Sequence, residues 1–383
     1  MAKPWNAWAV TVGVLSIVQI VRAGPLLARL AAGRTMDRVA VETEAARDSV
    51  SIVVPVLNEV HRLGACLDGL LRQGPEVREI IVVDGGSSDG TQALVAGYAR
   101  RDARVRLDDV APVPAGWNGK AWGLERGLHA SGASRWMLGI DADVRVAPQL
   151  TASLVAHAER RGLEALSIAT EQDVTGPVYA ALHAAMLTTL VYRMGPPGRV
   201  ARRLAAVQAN GQCFLATREA LLAIDGFAPA RASRCEDVTV ARALVASGRA
   251  IGFYAADGLA SVRMYDGACE LWRNWPRSLV LRDRYDGGCI GLLDVALLQS
   301  LPLVILVTLV ALPRSRTGLA LVVNAVLFGL RIALTAATSQ AYARRSAGLW
   351  LSPFVDVPVI LALAASALRR RHVWRGRLLE PER

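Results

Sequence analysis

The chain is 383 residues long, 53% of them apolar, and carries a formal net charge of +11. That length exceeds the usual single soluble domain, and a mean hydropathy of +0.31 is high for a purely soluble protein, so several modules are expected, some of them in a membrane. The charge does not mark a nucleic-acid binder. The arginines gather beside apolar runs (Arg22, Arg29, Arg34 and Arg38 after the first, 369–371 after the last), and neither zinc-finger spacing nor an aromatic-interleaved basic patch is present. Cysteines 66, 213, 235, 269 and 289 are odd in number and form no CxxC pair, which reads as free thiols in a reducing compartment.

In chain order, the first apolar run covers 5–21. Its only preceding cation is Lys3 and its arginines follow it, so it reads as a retained anchor (1–31) with the next domain in the cytoplasm. Residues 32–48 are polar and mixed in charge, a juxtamembrane linker. From Val50 the signals alternate strand, helix, strand, as in βαβ units. Strands are expected at 51–55, 79–84, 104–107 and 136–140. Val60, Leu63, Leu67, Leu70 and Leu71 have helical spacing and predict a helix over 59–72. A second helix starts near Thr91 with Asp89 as its cap, and others are predicted over 119–130 and 238–247. Segment 176–194 is apolar but lies between acidic clusters that must share one side of the membrane. It is expected to be a helix at or dipping into the interface, with an ordinary core helix as the alternative.

Residues 263–287 mix Trp272, Trp275 and Tyr285 with Arg273, Arg277, Arg282 and Arg284, a composition suited to a membrane–water boundary. Within 288–368 three runs, 290–312, 318–337 and 348–368, are long enough to span, although Asp294, Arg331 and Asp356 interrupt them. Three full spans after a cytoplasmic domain would put the basic tail 369–383 outside, against its charge. Segment 348–368, with Pro353, Asp356 and Pro358, is the first candidate for a re-entrant or interfacial course, and the topology stays open.

Four acidic clusters punctuate 49–262: Asn58-Glu59, Asp84, Asp141-Ala142-Asp143 and Glu236-Asp237. The first three follow continuous apolar runs, the mark of strands buried on both faces. Ligands of open α/β sheets bind beyond the carboxyl ends of the strands, so these carboxylates are placed for a nucleotide and a metal. Asp141 and Asp143 have the form of a site in which Mg²⁺ or Mn²⁺ is held by one or two carboxylates plus substrate phosphates. Each has a structural alternative. Glu59 can serve a helix dipole, as can Glu236 and Asp237 at the start of the 238–247 helix.

The segments VPVLNE (54–59), VVDGGSSDGT (82–91), GWNGKAWGLERG (116–127), DADV (141–144), GQCFLATREALLAIDGF (211–227) and CEDV (235–238) occur in an order that resembles family 2 glycosyltransferases. The resemblance covers about half the chain. It implies a GT-A fold: an α/β nucleotide-sugar-binding domain over 49–262, a Rossmann-like mixed sheet with helices on both faces, here flanked by N-terminal and C-terminal membrane helices. It assigns Asp84 to the base, Glu59 and Pro55 to the nucleotide, and Asp143 to the metal with Asp141 on the ribose or a metal-bound water. It makes Asp237 the base that deprotonates the acceptor, with Glu236 shaping its surroundings. Asn118 and Lys120 are expected near the nucleotide, the lysine as a point charge for phosphate.

The anchor, RMYDG (263–267), the aromatic-basic stretch, the terminal apolar helices and WRGR (374–377) also resemble membrane glycosyltransferases of carotenoid and hopanoid pathways. LWRNW (271–275) departs from the QxxRW motif of processive synthases. The expectation is therefore a multi-pass inner-membrane, inverting enzyme that moves a sugar from a nucleotide donor (UDP-glucose by default) to a lipid acceptor such as a hydroxylated carotenoid, hopanoid or glycolipid precursor. Polyprenyl phosphate is the nearest alternative acceptor, polysaccharide synthesis comes next, and a membrane protein that only binds nucleotide sugars is the non-enzymatic alternative. The donor sugar and the oligomeric state follow from no motif.

Overall fold

The structure, a computed structural model of the chain, describes residues 7–31, 37–233, 235–256, 258–279, 289–311, 318–369, 372–374 and 377–379. It divides into a helical unit (Met1–Arg34, Val174–Pro196, Tyr265–Arg370) and an α/β unit (Thr35–Asp173, Pro197–Met264, Arg371–Arg383). Helix α1 (Ala7–Ala31) opens the chain. The α/β unit then runs β1 (Val50–Val56), α2 (Val60–Leu70), β2 (Val77–Asp84), α3 (Thr91–Ala99), β3 (Val105–Asp109), α4 (Gly119–Ala130), β4 (Trp136–Ile140), β5 (Val144–Val146), α5 (Leu150–Arg161), β6 (Ala165–Ala169) and β7 (Glu171–Gln172). After α6 (Pro177–Met194) it resumes with β8 (Arg199–Ala201), β9 (Cys213–Thr217), α7 (Arg218–Leu222), α8 (Glu236–Ala246), β10 (Ile251–Ala255) and β11 (Ala260–Val262).

Eight strands form a mixed sheet in the order β3-β2-β1-β4-β9-β6-β10-β8, and a small second sheet has the order β5-β11-β7. Strands β3, β2, β1 and β4 are mutually parallel, while β9 runs antiparallel to both β4 and β6. Strand β4 is buried throughout and β1 nearly so, which accounts for their unbroken apolar runs. The strand order reverses between β1 and β4, and that switch point opens the crevice where ligands of such sheets bind. Helix α4 lies close over β1 because two of its residues lack side chains: a Cβ at Gly123 would stand 2.8 Å from Pro55 Cβ, and one at Gly127 would collide with Val53. The expected linker is not free-running over 37–48. Val39 N–H donates to Ala255 O, and Glu42 N–H donates to Ser153 Oγ.

The helical unit adds α9 (Ala268–Asn274), α10 (Pro276–Leu279), α11 (Cys289–Val295), a π-helical turn (Ala296–Ser300), α12 (Leu301–Ala311), α13 (Gly318–Thr338), a 3₁₀ helix (Ala347–Val355) and α14 (Asp356–Leu368). A short hairpin, β12 (His372–Trp374) with β13 (Arg377–Leu379), follows and is grouped with the α/β unit. Among the described residues four helical stretches are long and apolar enough to cross a membrane: Ala7–Ala31, Ile290–Ala311, Gly318–Ala341 and Ala347–Leu368. The first continues through Pro25, about ten residues past the apolar run, so Arg22 and Arg29 lie on the helix rather than after it.

Each charge that interrupts an apolar run has a partner inside this unit. Arg22 donates to both Asp294 oxygens, at 2.5 and 2.7 Å. Arg331 forms a fork with Asp356 at 2.8 and 2.9 Å, and both side chains are fully buried. Helix α6, expected at or dipping into the interface or else as a core helix, is covered largely by protein. It is buried along most of its length and packs against the 3₁₀ helix, α9, α11, α13 and α14, which makes it a core helix of the helical unit. The Tyr285 end of the aromatic-basic segment lies outside the described residues.

Candidate active site

Two loops at the carboxyl ends of β1 and β2 are laced together. Asn58, in the left-handed region at φ +57°, accepts from Ser88 N–H, while its own N–H donates to Ser87 Oγ. Glu59 N–H donates to Thr91 Oγ1, and Asp89 accepts from Val60 N–H and Thr91 N–H. Asp89 therefore serves the first turns of α2 and α3 together. Buried Asp84 accepts from Ser87 N–H, Ser87 Oγ–H and Gln92 Nε2. Those bonds occupy about four acceptor positions, the capacity of a carboxylate. In this structure Asp84 holds the 85–90 loop in shape.

Asp141 and Asp143 sit in the turn between β4 and β5. Lys120 Nζ, from the first turn of α4, stands 2.7 Å from Asp141 Oδ1 and 2.7 Å from Glu236 Oε1, and it also donates to Gly211 O at 3.3 Å. Burial works against this ammonium, but Asp141, Glu236 and Asp237 outweigh it and hold the lysine above its ordinary range. It is thus enclosed by carboxylates rather than held out for a phosphate.

Asp143 Oδ1 is buried with no hydrogen-bond partner. Burial first, then the charges of Asp141 and Glu59, push the Asp143 carboxyl up to about 7, against Lys120 and Arg62. Among the described residues no set of three or more His, Cys, Asp or Glu forms a closed metal cage.

Asp237 begins α8. Its Oδ2 accepts from Gly211 N–H at 2.7 Å and its Oδ1 from Val238 N–H at 2.9 Å. Burial and the neighbouring Glu236 charge raise it to about 7, with Lys120 and the two backbone donors opposing. Behind it lies a cavity of about 20 Å³ between α4, β4, β9 and α8, lined mostly by apolar groups such as Leu124, Met137, Phe214 and Phe227. That volume suits one water at most, and Glu236 and Asp237 contribute to its wall.

Residues 51–221 match the model of glycosyl transferase family 2. Residues 51–221 form a family 2 glycosyl transferase domain. The chain is 43% identical over 58 residues to an uncharacterized glycosyltransferase, EpsJ, of Bacillus subtilis, a stretch that is 15% of this chain and 17% of that protein. It is 34% identical over 97 residues to the lipopolysaccharide core biosynthesis glycosyltransferase LpsC of Rhizobium meliloti, 25% of this chain and 32% of that one. The chain thus spans a third or less of the length of these curated relatives. Among solved structures, a Pyrobaculum calidifontis mannosyltransferase in complex with GDP-Man and Mn²⁺ superimposes with a TM-score of 0.55 at 20% identity, covering 93% of this chain and 99% of that one. At that identity the likeness speaks for the fold.

Within the glycosyltransferase domain and the helix that follows it, the fold brings Lys120, Asp141 and Asp143 together with Glu236 and Asp237, which lie beyond the matched span. Glu59 reaches them through its charge, which acts on Asp143. Pro55 packs against Gly123 of α4. Asn118 caps α4: its Oδ1 accepts from Ala121 N–H and its Nδ2 donates to Ser233 O, so both ends of the amide are engaged. Trp122 donates from its indole N–H to Val110 O and packs edge-on to Trp117.

Sequence reasoning missed Gly211. A Cβ there would stand 2.8 Å from both Glu236 Oε1 and Lys120 Nζ, so any side chain at this position would have to displace the ends of the lysine and the glutamate. The available signal was that this glycine opens a matching segment. Ser87, in a polar loop, and Gln92, in the first turn of α3, take up the Asp84 carboxylate and carried no distinguishing signal.

Proposed function

We propose that this chain transfers a sugar from a nucleotide-sugar donor to a hydroxyl of a membrane lipid, with inversion at the anomeric carbon and Asp237 as base. The observation that carries the reading is the position of Asp237. It stands at the start of α8, oriented by Gly211 N–H and linked through Glu236 and Lys120 to the Asp141 turn at the sheet's switch point. A base raised to about 7 is matched to proton removal near neutral pH.

The acceptor oxygen attacks the anomeric carbon on the face opposite the diphosphate. Its proton passes to an Asp237 oxygen, and the bond from carbon to diphosphate oxygen breaks with its electron pair leaving on the nucleotide. One displacement suffices, so no second nucleophilic carboxylate is required.

Lys120 holds the Glu236 and Asp141 side chains in place while Asp237 cycles. Asp84, Asn58 and Asp89 hold the loops that face the nucleotide, and Asn118 fixes the helix that carries Lys120. A divalent cation, Mg²⁺ or Mn²⁺, would be held by Asp143, whose orphaned buried oxygen and acidic neighbours fit a site of one or two carboxylates completed by substrate phosphates. Asp141, engaged by Lys120, is the lesser ligand. When bound, the ion supplies Lewis-acid neutralisation of the departing diphosphate.

The lipid acceptor is supported by the four membrane-length helices in the same chain, and the domain that follows α1 is read as cytoplasmic. A hydroxylated carotenoid, a hopanoid or a glycolipid precursor is the acceptor class. The test supplies membranes carrying the protein with radiolabelled UDP-glucose, then GDP-mannose, with Mn²⁺ or Mg²⁺, and follows label into organic-extractable lipid. Metal-dependent lipid label that Asp237→Asn abolishes is the expected result. Label confined to insoluble polymer overturns the lipid acceptor. Lipid label that survives Asp237→Asn points instead to an already ionised phosphate acceptor and removes the base.

A further inference from the structure

We infer that Ala347–Leu368 does not cross the membrane. It is a re-entrant element that dips into one leaflet and returns, leaving three crossings: α1, the continuous α11–α12 helix and α13. The inference concerns topology rather than chemistry, and it rests only on the membrane part of the reading above.

The directions of the three crossing helices follow from their contacts. Val12 of α1 packs with Ile305, Leu309 and Ala320, while Gln19 donates to Leu297 O and Asn324 Oδ1, and Arg22 pairs with Asp294. Ascending α1 therefore meets descending numbers on α11–α12 and ascending numbers on α13. The carboxyl ends of α1 and α13 and the amino end of α11 share one end of the bundle.

Helix α6 lies across that end. Arg29, near the carboxyl end of α1, donates to Tyr192 O at 2.8 Å. Tyr342, just past α13, is hydrogen-bonded to His183 Nδ1 at 2.8 Å. Arg193 donates to Leu279 O, ahead of α11.

The 3₁₀ helix runs beside α6. At its start, a Cβ on Gly348 would stand 2.5 Å from Pro177 Cα. Beyond its far end, Asp356 accepts from Gln299 Nε2, which also donates to Ala185 O. Residues 348 to 356 thus keep pace with 177 to 185, and the 3₁₀ helix stays at the level of α6.

Its deepest anchored point is Asp356, bound to Arg331. That arginine lies about 10 Å along α13 from Thr338, at the 1.5 Å rise of a helix. From there the 13 residues of α14 extend about 20 Å, short of the ~30 Å hydrocarbon core. They pack against α10, which precedes α11 at the starting end. The segment goes in and comes back.

Charge agrees with this course. Three crossings put Arg344, Arg345 and 369–371 on the same side as Arg34 and Arg38, leaving Lys3, Arg314 and Arg316 opposite. The exposed Trp350, Leu351, Phe354 and Leu361 then face acyl chains near the headgroup boundary of that leaflet.

The test uses the full-length protein in sealed membrane vesicles of both orientations, with Cys269 and Cys289 replaced by serine. Single cysteines at Ala46, Gly318, Ala343 or Arg369 are probed with a membrane-impermeant maleimide. Positions 46, 343 and 369 are expected to react in one vesicle orientation and 318 only in the other. Label at 369 appearing with 318 overturns the proposal, as does label at 318 appearing with 46. A carboxyl-terminal epitope tag on the otherwise unaltered chain, tested by protease in the same vesicles, repeats the measurement without substitutions. Alkaline carbonate separates the two readings. Protein released from the pellet means that the membrane reading itself fails, whereas retained protein with its tail on the side of Gly318 defeats only the re-entrant course.

Discussion

Lys120 Nζ lies 2.7 Å from Glu236 Oε1, although the two residues come from α4 and α8, helices well separated in the chain. The same ammonium holds Asp141, so one cation ties the turn that follows β4 to the helix that begins with Glu236 and Asp237. Replacing Lys120 with Met is expected to raise the pKa of Asp237, because a cation that favours its ionised form is gone. The acid limb of the kcat/KM profile should move to higher pH, and Lys120→Arg should move it back toward the wild-type position. A profile unmoved by Lys120→Met would leave the lysine with a purely structural role.

Wild-type kcat/KM is expected to rise with pH through about 7 with unit slope, as Asp237 loses its proton. Asp237→Asn should lower kcat by about 10²–10⁴, the usual contribution of a positioned base. Measured at saturating donor, the loss should fall on kcat rather than on donor KM.

Asp143 makes the metal-free protein less stable as it ionises. Its folded pKa, about 7, lies above the ordinary carboxylate value of 3.8, so the folded state binds the extra proton and stability falls as pH rises between those values. Asp143→Asn should therefore raise the melting temperature of metal-free protein at pH 8, by about 2–4 °C for each kcal/mol recovered. It should also abolish the further rise caused by Mn²⁺. Thermal melts with and without the ion measure both effects.

Gly211→Ala should retain the fold and lose most activity, since its Cβ would displace Lys120 and Glu236. Gly127→Ala should do the reverse. Its methyl would push α4 away from Val53 at a cost of about 1–3 kcal/mol, the usual range for an overfilled core. Comparing melting temperature with turnover for the two variants separates them.

In the helical unit, Arg331→Met or Asp356→Asn alone should destabilise the protein in detergent by about 3–5 kcal/mol, because each strands a buried partner. The double variant Arg331→Met, Asp356→Leu should be milder than either, and thermal inactivation rates would reveal the difference.

Much of the catalytic frame was legible in one dimension. A strand buried on both faces leaves an unbroken apolar run, so β1, β2 and β4 announced themselves, and the carboxylates at their ends followed. Helix α4 was equally plain. The partners of those carboxylates were not. Lys120 carries no mark distinguishing a phosphate ligand from a buried counter-ion, and Asp84 carries none showing that Ser87 and Gln92 would occupy it.

The membrane-length helices divide in the same way. Apolar windows located the long helices, because hydropathy is a property of composition. Asp294, Arg331 and Asp356 read as interruptions because their partners lie elsewhere: Arg22 is 272 residues from Asp294, and Arg331 is 25 from Asp356. Composition alone also left α6 and Ala347–Leu368 ambiguous, since an apolar segment has the same sequence whether lipid or protein covers it. The sequence by itself determined which residues must leave water and which carboxylates stand at strand ends. Only the tertiary structure decided which charges neutralise one another and which apolar helices cover each other, because both depend on groups brought together from distant parts of the chain.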